Sequence, residues 1–313
     1  MSDPRQTQWY LKYRPATLDE MVLEDHHIAF FKKMIESQEP MSILLSGTAG
    51  IGKTTLAKAL VNELDAEFLF LNCSGRDRGI DTVKNKITNF ATTMSMDGKR
   101  KVIIADEADN LTQDAQMALR SVIEDVGRST TFILTCNFPG KLIDALISRC
   151  HPVKLEVTEK NDIMVKMARR LVKILNEEKI EFTKPALSKI VKSNFPDFRK
   201  TLNDLQRQSY IGPIDEEAAK RIQLTSNDEL INILKQKSYE RLYQWLMLNA
   251  VDPESTVLNF WPRIAETFTA ETQPYAVVHM NEAQFHMSMV ADKHLTMVAA
   301  FTKMMADCEV KDV

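Results

Sequence analysis

Apolar and polar positions follow two different patterns along the chain. Short continuous apolar runs alternate with helical patterns over the first half, at 43–46, 67–72, 101–106, 131–136 and 152–157. Such runs are typical of strands that are buried on both faces of a parallel sheet. After Val157 the apolar residues recur only at helical spacing. The pattern therefore predicts an α/β domain with a parallel five-stranded sheet, followed by helices alone.

Two breaks in the pattern predict three domains. The last apolar run ends at Val157, and Gly212-Pro213 stands ahead of an acidic stretch at 215–217. We therefore expect an α/β domain over 1–157, a small helical domain over 158–212 and a larger helical domain over 213–313. The last domain closes with many methionines, which fill irregular apolar contacts in cores and subunit interfaces.

Composition indicates a globular intracellular protein. The chain has 313 residues, a net charge of −3, 44% hydrophobic residues and 27% charged residues. No apolar run approaches the roughly 18 residues of a membrane span, and the polar start lacks a secretory signal. Cys73, Cys136, Cys150 and Cys308 lie too far apart to suggest a zinc knuckle or a disulfide framework. We expect the first three of these thiols to pack at strand ends, in a reducing compartment.

The segment 47–54 (GTAGIGKT) fits the phosphate-binding pattern G-x-x-x-x-G-K-[ST]. It lies between the apolar run at 43–46 and a helical pattern at 56–61. Its glycines allow backbone N–H groups to turn toward a polyphosphate at a helix N-terminus. Lys53 would then reach the β- and γ-phosphates, and Thr54 would hold Mg²⁺. A glycine-rich loop with an incidental lysine is the alternative, and three further elements argue against it.

Polar side chains follow two of the predicted strands. Asp106 and Glu107 end the run at 101–106, and Asn137 ends the run at 131–136. Ligands of open α/β sheets bind at this carboxyl edge. Asp106 would hold Mg²⁺, Glu107 would deprotonate the attacking water, and Asn137 would hydrogen-bond the same water or the γ-phosphate. Taken locally, two solvated acids at a strand end remain an alternative.

Two arginines complete the candidate chemistry. Arg149 precedes the last strand, and Arg199 lies in the first turn of a helix that Asp197 is expected to cap. Each has an ordinary explanation as a surface charge. Arg149 follows the phosphate loop, the two acids and Asn137 along the sequence. This order makes Arg149 a candidate arginine finger.

Together these elements resemble the AAA+ ATPases, and the replication factor C-type clamp loaders in particular. The resemblance rests on the following segments: Tyr13-Arg14-Pro15, Arg78-Gly79-Ile80-Asp81, Asp106-Glu107-Ala108-Asp109, Ala118-Leu119-Arg120 and Ser148-Arg149-Cys150. The segment 194–200 (NFPDFRK) is similar to the large ATPase subunit of T-even-type bacteriophage clamp loaders. The similarity is dense over 10–205, and beyond that range only the helical layout agrees. One departure is Thr48-Ala49, where the family often has Pro-Pro.

The resemblance implies a RecA-like AAA+ ATPase domain, a helical lid and an all-α collar that holds subunits in a ring. It implies ATP and Mg²⁺ as cofactors, with Thr54 and Asp106 holding the metal. The implied catalytic residues are Lys53, Glu107, Asn137, Arg149 and Arg199, the last as the lid's sensor arginine. The implied nucleotide contacts are Tyr13, Arg14, Val22, Leu23, Ala49, Gly50, Ile51, Gly52, Lys53, Thr54, Thr55 and Arg199.

A local basic stripe is the candidate DNA contact, since the net charge argues against a generally DNA-coating surface. Arg76, Arg78 and Lys84 surround the start of a predicted helix, where positive charge is disfavoured unless a phosphate lies nearby. The residues alone leave a solvated loop equally open. The resemblance favours contacts to duplex phosphates, which would be salt-sensitive and independent of sequence.

Two further placements are hypotheses. Met94 and Met96 would enter a pocket of the sliding clamp, with packing onto the domain's own core as the alternative. Gln116 and Arg120 stand four residues apart and hence on one helix face. They would lie beneath the active site at the subunit seam and relay DNA contact to Glu107.

The resemblance implies an ATP-driven subunit that opens a sliding clamp and loads it onto primer–template DNA. Its partners would be the clamp, the DNA, further copies of itself and a small non-identical subunit, most simply as a homotetramer plus one. A phage-encoded protein would act in the cytoplasm of the infected bacterial host, with no membrane partner. The alternatives are an AAA+ DNA motor such as a branch-migration helicase, and a scaffold subunit that retains ATP. A DEAD-box helicase is excluded because its Ser-Ala-Thr and His-Arg-x-Gly-Arg motifs do not occur.

Overall fold

The computed structural model describes residues 8–37, 41–93, 95, 98–127, 129–223, 227–248, 253–290 and 292–311. The chain divides into two compact units, Met1–Asp215 and Glu216–Val313. The finer division at residues 157 and 212 stays a prediction. Within the described residues, no helix combines the length and the apolar character needed to cross a membrane.

Five parallel strands form the sheet of the first unit, in the order β2-β3-β4-β1-β5. Their bounds are β1 (Ile43–Ser46), β2 (Glu67–Asn72), β3 (Lys101–Asp106), β4 (Thr130–Cys136) and β5 (His151–Lys154). The predicted α/β class with a parallel five-stranded sheet is confirmed. Because all strands run the same way, their carboxyl ends meet at one edge of the sheet.

The last strand is shorter than its apolar pattern predicted. It ends at Lys154, where the run was expected to continue to Val157. Leu155 still donates its N–H to the carbonyl of Ser46 at 2.8 Å. Ser46 is the last residue of β1, so the neighbouring strand offers no further ladder partner and the chain turns away.

Nine α-helices accompany the sheet in the described part of the first unit. They are α1 (Trp9–Lys12), α2 (Asp25–Glu36), α3 (Lys53–Glu63), α4 (Thr88–Thr92), α5 (Gln113–Val126), α6 (Asp144–Ile147), α7 (Lys160–Glu177), α8 (Lys184–Asn194) and α9 (Phe198–Ser209). A π-helical turn over Thr82–Ile87 runs directly into α4. The last three helices follow the sheet, as the change to helical spacing predicted.

The three central strands of the sheet, β1, β3 and β4, are buried on both faces, whereas the edge strands β2 and β5 are partly exposed. Leu44, Ile103 and Phe132 pack in one apolar cluster with Leu119 of α5. Alternate residues of the same strands point the other way and pack with α2 and α3; they include Ile43, Leu45, Val102 and Ile104. Side chains alternate between the faces of a strand, so continuous apolar runs are what a sheet covered on both sides requires.

The described part of the second unit is helical, apart from an isolated antiparallel β-bridge between Phe268 and Val310. Its α-helices are α10 (Glu216–Gln223), α11 (Asn227–Gln236), α12 (Tyr239–Leu248), α13 (Pro253–Phe260), α14 (Ile264–Thr267), α15 (Gln273–Met287) and α16 (Lys293–Asp307). Phe260 and Phe301 meet edge to face at 5.3 Å in the core. Met280, Met297 and Met304 are buried around them. These methionines therefore pack inside the unit, whereas Met289 is 67% exposed.

Candidate functional site

The phosphate loop connects β1 to α3 and takes a conformation that needs glycine. Gly50 has φ +78° and Gly52 has φ +103°, in the left-handed region that side chains with a Cβ rarely adopt. Gly52 stands directly ahead of α3, whose first residue is Lys53. The spacing of the motif thus brings an open backbone turn to a helix N-terminus, where anions bind favourably.

Lys53 is folded back onto its own loop. Its Nζ donates to the carbonyls of Gly47 and Thr48, both at 2.8 Å. The side chain is 8% exposed, and burial lowers the pKa of its ammonium group. A buried cation that donates to two neutral carbonyls is well suited to an anionic ligand, because phosphate oxygens would form charge-assisted bonds in their place.

Thr54 and Asp106, the two residues proposed to hold Mg²⁺, are in direct contact. Thr54 donates its hydroxyl to Oδ1 of Asp106 at 2.6 Å. Thr135 donates to the same Oδ1 at 2.7 Å. A hydroxyl and a carboxylate are the hard oxygen ligands that Mg²⁺ prefers, with substrate phosphates and water completing its shell. The donor set fits the metal.

Thr135 also positions Glu107, and it was missed by sequence reasoning. Glu107 takes a left-handed backbone conformation, with φ 57° and ψ 47°. Its N–H donates to the hydroxyl of Thr135 at 2.9 Å. A single buried hydroxyl on β4 therefore fixes both acids at the end of β3. The available signal was a polar residue within an otherwise apolar strand run.

Asp109 plays a similar part for Asn137. Its Oδ2 accepts the N–H groups of Asn137 at 3.3 Å and of Phe138 at 3.1 Å. Asp109 is buried at 7% exposure, so these contacts form away from bulk water. They hold the turn after β4, which places Asn137 at the same edge of the sheet as Glu107.

An open cleft lies beside the phosphate loop. Eight of the predicted nucleotide contacts line it: Tyr13, Arg14, Val22, Gly50, Ile51, Gly52, Thr55 and Arg199. Leu23 instead lines an adjoining cavity with Val22 and Ile51. Ala49 belongs to the loop itself. The structure thus brings together residues from the chain start, the loop and α9.

Three arginines line this cleft, Arg14, Arg170 and Arg199, and two of them influence one another directly. Burial lowers the pKa of the Arg14 guanidinium, and the positive charge of Arg199 lowers it further. The guanidinium of Arg199 lies 5.8 Å from the ring centre of Tyr10. Two cations that repel one another in a partly buried cleft favour a polyanionic ligand.

Arg170 is a second residue that sequence reasoning missed. It extends from α7 and donates to the carbonyl of Glu20 at 2.6 Å and to that of Tyr13 at 3.0 Å. Burial lowers the pKa of its guanidinium. Arg170 fixes the backbone of the segment that carries Tyr13 and Arg14. Nothing in its local sequence distinguishes it from an ordinary helix-surface arginine.

Arg149 lies at the opposite edge of the sheet from its own phosphate loop. It precedes the amino end of β5, whereas the loop follows the carboxyl end of β1, the strand that pairs with β5. Four residues of strand span about 13 Å. The Arg149 guanidinium pairs with Oε1 of Glu124 through Nε at 2.7 Å and Nη2 at 2.6 Å.

The predicted coupling residues differ in environment. Gln116 is 2% exposed, and its Nε2 donates to the carbonyls of Leu111 at 3.1 Å and Lys141 at 3.2 Å. Its Oε1 accepts the N–H of Ile143 at 2.8 Å. Arg120 lies nearer the surface and pairs with Glu124. These contacts fix α5 against the segment ahead of α6, and the relay to Glu107 remains a prediction.

The candidate DNA stripe is exposed where it is described. Arg78 and Lys84 have exposed side chains, whereas Lys86 is paired with Asp77 at 2.6 Å. Arg76 belongs to a 3-10 turn, and its side chain lies outside the described residues. Met94 and Met96, the predicted clamp contacts, also lie outside the described residues.

Comparison with known proteins identifies the class and then the family. Residues 43–157 match the AAA family, ATPases associated with various cellular activities. Residues 159–218 match the AAA+ ATPase lid domain of the sliding-clamp-loader large subunit. The fold and the site thus define an AAA+ ATPase, a class of nucleotide-binding proteins.

Curated relatives extend this match along most of the chain. The replication factor C small subunit of Saccharolobus solfataricus is 33% identical, over 95% of this chain and 93% of its own. The sliding-clamp-loader large subunit of Escherichia phage RB69 is 37% identical, over 74% of each chain. The chain therefore belongs to the replication factor C family of clamp-loader ATPase subunits.

Solved structures show the same fold more distantly. The Holliday junction branch migration motor RuvB of Thermotoga maritima is 19% identical and has a TM-score of 0.54, over 71% of this chain and 74% of that one. At this identity the likeness shows the AAA+ fold and carries no argument about function.

Proposed function

We propose that this clamp-loader subunit uses ATP to open a ring-shaped sliding clamp and to load it onto primer–template DNA. The observation that carries the proposal is the convergence of Lys53, Thr54, Asp106, Glu107 and Asn137 at one edge of the sheet, with Arg149 at the other. A site without its own arginine finger needs a neighbouring subunit. The rate of ATP hydrolysis would then depend on whether the subunits are assembled.

ATP would occupy the cleft and the phosphate loop. Tyr13, Arg14, Val22 and Leu23 would contact the adenosine side, and the N–H groups of the loop from Ala49 to Thr55 would contact the phosphates. Lys53 would leave the Gly47 and Thr48 carbonyls for the β- and γ-phosphates. The change replaces neutral acceptors by anionic ones, which strengthens each hydrogen bond.

Hydrolysis would use the polar residues that follow β3 and β4. Thr54 and Asp106 would hold Mg²⁺, which supplies charge neutralisation at the phosphate oxygens when it is bound. Glu107 would accept the proton of the attacking water, and Asn137 would fix the position of that water. Arg199 would approach the γ-phosphate from α9. Its position would therefore link nucleotide state to the helices after the sheet.

Arg149 would act on the nucleotide of an adjacent subunit. An arginine supplied in trans raises turnover by about 10³–10⁵ in related NTPases, so the isolated chain should hydrolyse ATP slowly. The second unit would serve as the collar that closes the ring. The simplest assembly is four copies with one small non-identical subunit.

Steady-state ATPase of the assembled complex tests the proposal, with and without primed DNA and the cognate clamp. We expect joint stimulation by DNA and clamp, and its loss in Arg149→Ala. Arg169→Ala, an exposed arginine on α7, is the matched control and should behave as wild type. Stimulation by DNA alone, indifferent to the clamp, would instead favour a DNA motor.

Mixed complexes distinguish action in trans from action in cis. Lys53→Ala chains lack a phosphate site but keep Arg149, and Arg149→Ala chains have the reverse defect. The two inactive preparations are mixed before assembly. Part of the turnover should return, because some interfaces then pair the intact phosphate site of an Arg149→Ala chain with the Arg149 of a Lys53→Ala chain. No recovery on mixing would rule out a shared site.

A further inference from the structure

The carboxylate of Glu24 is almost fully buried and lies outside the catalytic cluster. Glu24 is 5% exposed and precedes α2. Its Oε1 accepts the hydroxyl of Thr158 at 2.9 Å, the N–H of Glu159 at 2.9 Å and the N–H of Thr158. Its Oε2 lies 3.1 Å from the same hydroxyl. We call these contacts between Glu24, Thr158 and Glu159 the hinge latch.

The hinge latch stands where the two matched family domains meet. The AAA match ends at residue 157 and the lid match begins at residue 159. Helix α7 begins directly afterwards, and Glu159, the residue at its N-cap position, gives it no side-chain cap. Helix N-termini leave N–H groups unsatisfied and favour negative charge. The distant Glu24 carboxylate provides that charge beside the start of α7.

Glu24 is anchored on the sheet side of this junction. Its neighbour Leu23 is 5% exposed, and Phe31 and Met34 of α2 are buried as well. All three pack in one apolar cluster with Ile43 of β1. The hinge latch therefore joins a residue fixed to the sheet layer to the first turn of the lid.

A small, partly open pocket adjoins the hinge latch. It is lined by Leu23, Glu24 and Ile51 from the sheet side and by Ile163 and Met167 from α7, among others. The sheet layer and α7 therefore face one another directly beside the polar contacts of Glu24.

The lid approaches the phosphate loop closely, so its angle matters for the site. A Cβ placed on Gly50 would lie 2.1 Å from Oδ1 of Asp197. Asp197 stands two residues ahead of Arg199, and both belong to the turn that opens α9. A small rotation at Thr158 would move this turn away from the loop.

We propose that Glu24 is a positioning residue of the ATPase, which fastens the start of α7 to the sheet layer and thereby sets the lid angle at which Arg199 meets the nucleotide. The proposal rests on the nucleotide placement proposed above. Burial alone would raise the pKa of Glu24, but the hydrogen bonds from Glu159 and Thr158 outweigh it and hold that pKa below its ordinary value. The carboxylate is thus ionised at neutral pH.

Two readouts test the hinge latch in the full chain. Spin labels at Lys33→Cys on α2 and Lys173→Cys on α7, both exposed positions, report the sheet-to-lid distance without nucleotide. Binding of a fluorescent ATP analogue reports the site. In Glu24→Gln we expect a broader distance distribution and about 10-fold weaker binding, the scale of one charged hydrogen bond. Because the lid angle also sets where Arg199 would meet the γ-phosphate, turnover of the complete assembly should fall together with affinity.

Matched variants separate the hinge latch from a general loss of stability. Glu36→Gln makes the same change at the other end of α2 and should leave both readouts unchanged. Thr158→Val removes the hydroxyl contact but keeps the two backbone N–H bonds, so it should change both readouts in the same direction as Glu24→Gln but less. Thr158→Ser keeps the hydroxyl and should change neither readout. The effects of Glu24→Gln and Thr158→Val should be less than additive, because the two residues share the hydroxyl contact. Thr158→Val also provides the test if Glu24→Gln fails to fold.

Three results would overturn the proposal. They are an unchanged distance distribution in Glu24→Gln, a broader distribution with unchanged nucleotide affinity, and additive effects of the Glu24 and Thr158 variants. The distance measurement needs no nucleotide, so it stays informative if ATP binds elsewhere. Weak binding by the wild-type chain itself would count against the proposed nucleotide site and not against the hinge latch.

Discussion

The hydroxyl of Thr135 connects the two acids that the proposed reaction needs. It donates to Oδ1 of Asp106 and accepts the N–H of Glu107, and Thr135 is 1% exposed. Removal of this hydroxyl would leave a buried N–H without its acceptor and free one lone pair of Asp106. An unsatisfied buried donor costs about 1–3 kcal/mol. Glu107, already in a left-handed conformation, would lose the contact that fixes its backbone.

Thr135→Val should therefore impair the chemical step more than nucleotide binding. The change keeps the shape of the side chain, so the strand should still pack. We expect a fall in kcat of about 100-fold, the cost of displacing a catalytic group by about 1 Å, with a change in ATP affinity below about 3-fold. Single-turnover hydrolysis and analogue binding measure the two effects. Thr135→Ser keeps the hydroxyl and should retain most activity; equal losses in both variants would contradict this role.

Sequence alone predicted the charged members of the site because they occur at fixed spacings in local motifs. Lys53 and Thr54 are specified by the phosphate loop, and Asp106 and Glu107 by their place after an apolar run. The hydroxyl of Thr135 acts on residues of another strand, so its role depends on how β3 and β4 are paired. Arg170 acts on two backbone carbonyls of the chain start. Contacts of this kind leave no periodic signal in a single sequence.

At the scale of elements, the strands were predictable and their order was not. Each strand gave an apolar run, but β1 pairs with both β4 and β5, which no local pattern encodes. This order determines that the phosphate loop lies beside the turn after β4. It also places the approach to β5, with Arg149, at the far edge. The predicted ends of β5 were wrong because pairing with β1 stops at Lys154, although the apolar pattern continues.

The start of α9 offers a clean test of one predicted cap. Asp197 accepts the N–H of Lys200 through Oδ1 at 2.8 Å, as expected for an N-cap residue. Loss of such a cap costs about 1 kcal/mol, so Asp197→Ala should lower the stability of the first unit by this amount. Thermal unfolding of the full chain, followed in the first unit, measures the change.

A neighbouring helix supplies the control for the cap. Thr183 holds the equivalent position ahead of α8 but makes no side-chain cap. Thr183→Ala should therefore cost little, and Asp197→Asn should keep most of the stability. An equal loss for both alanine variants would mean that the Asp197 carboxylate contributes nothing as a cap.

At the scale of the whole molecule, a net charge of −3 must be reconciled with DNA binding. Arg78 and Lys84 are exposed near the start of the segment that runs into α4, and Lys86 is neutralised by Asp77. Within the described part of this segment, Arg78 and Lys84 are the exposed cations that form no ion pair. A ring of subunits would repeat them around a duplex. The net charge of the sequence predicted that any DNA contact would be a local basic stripe. The ion pair between Lys86 and Asp77 could be seen only in the structure.

Lys84→Ala should therefore weaken DNA binding by the assembly without changing ATP affinity. Each lysine that neutralises a phosphate contributes about one unit to the slope of log affinity against log salt. The slope should fall by about one for each Lys84 in the complex that touches the backbone, and the loss should be equal for unrelated primer–template sequences. Titration of labelled DNA at several salt concentrations measures both. Lys173→Ala, an exposed lysine on α7, should leave the slope unchanged, whereas an unchanged slope in Lys84→Ala would move the DNA path elsewhere on the ring.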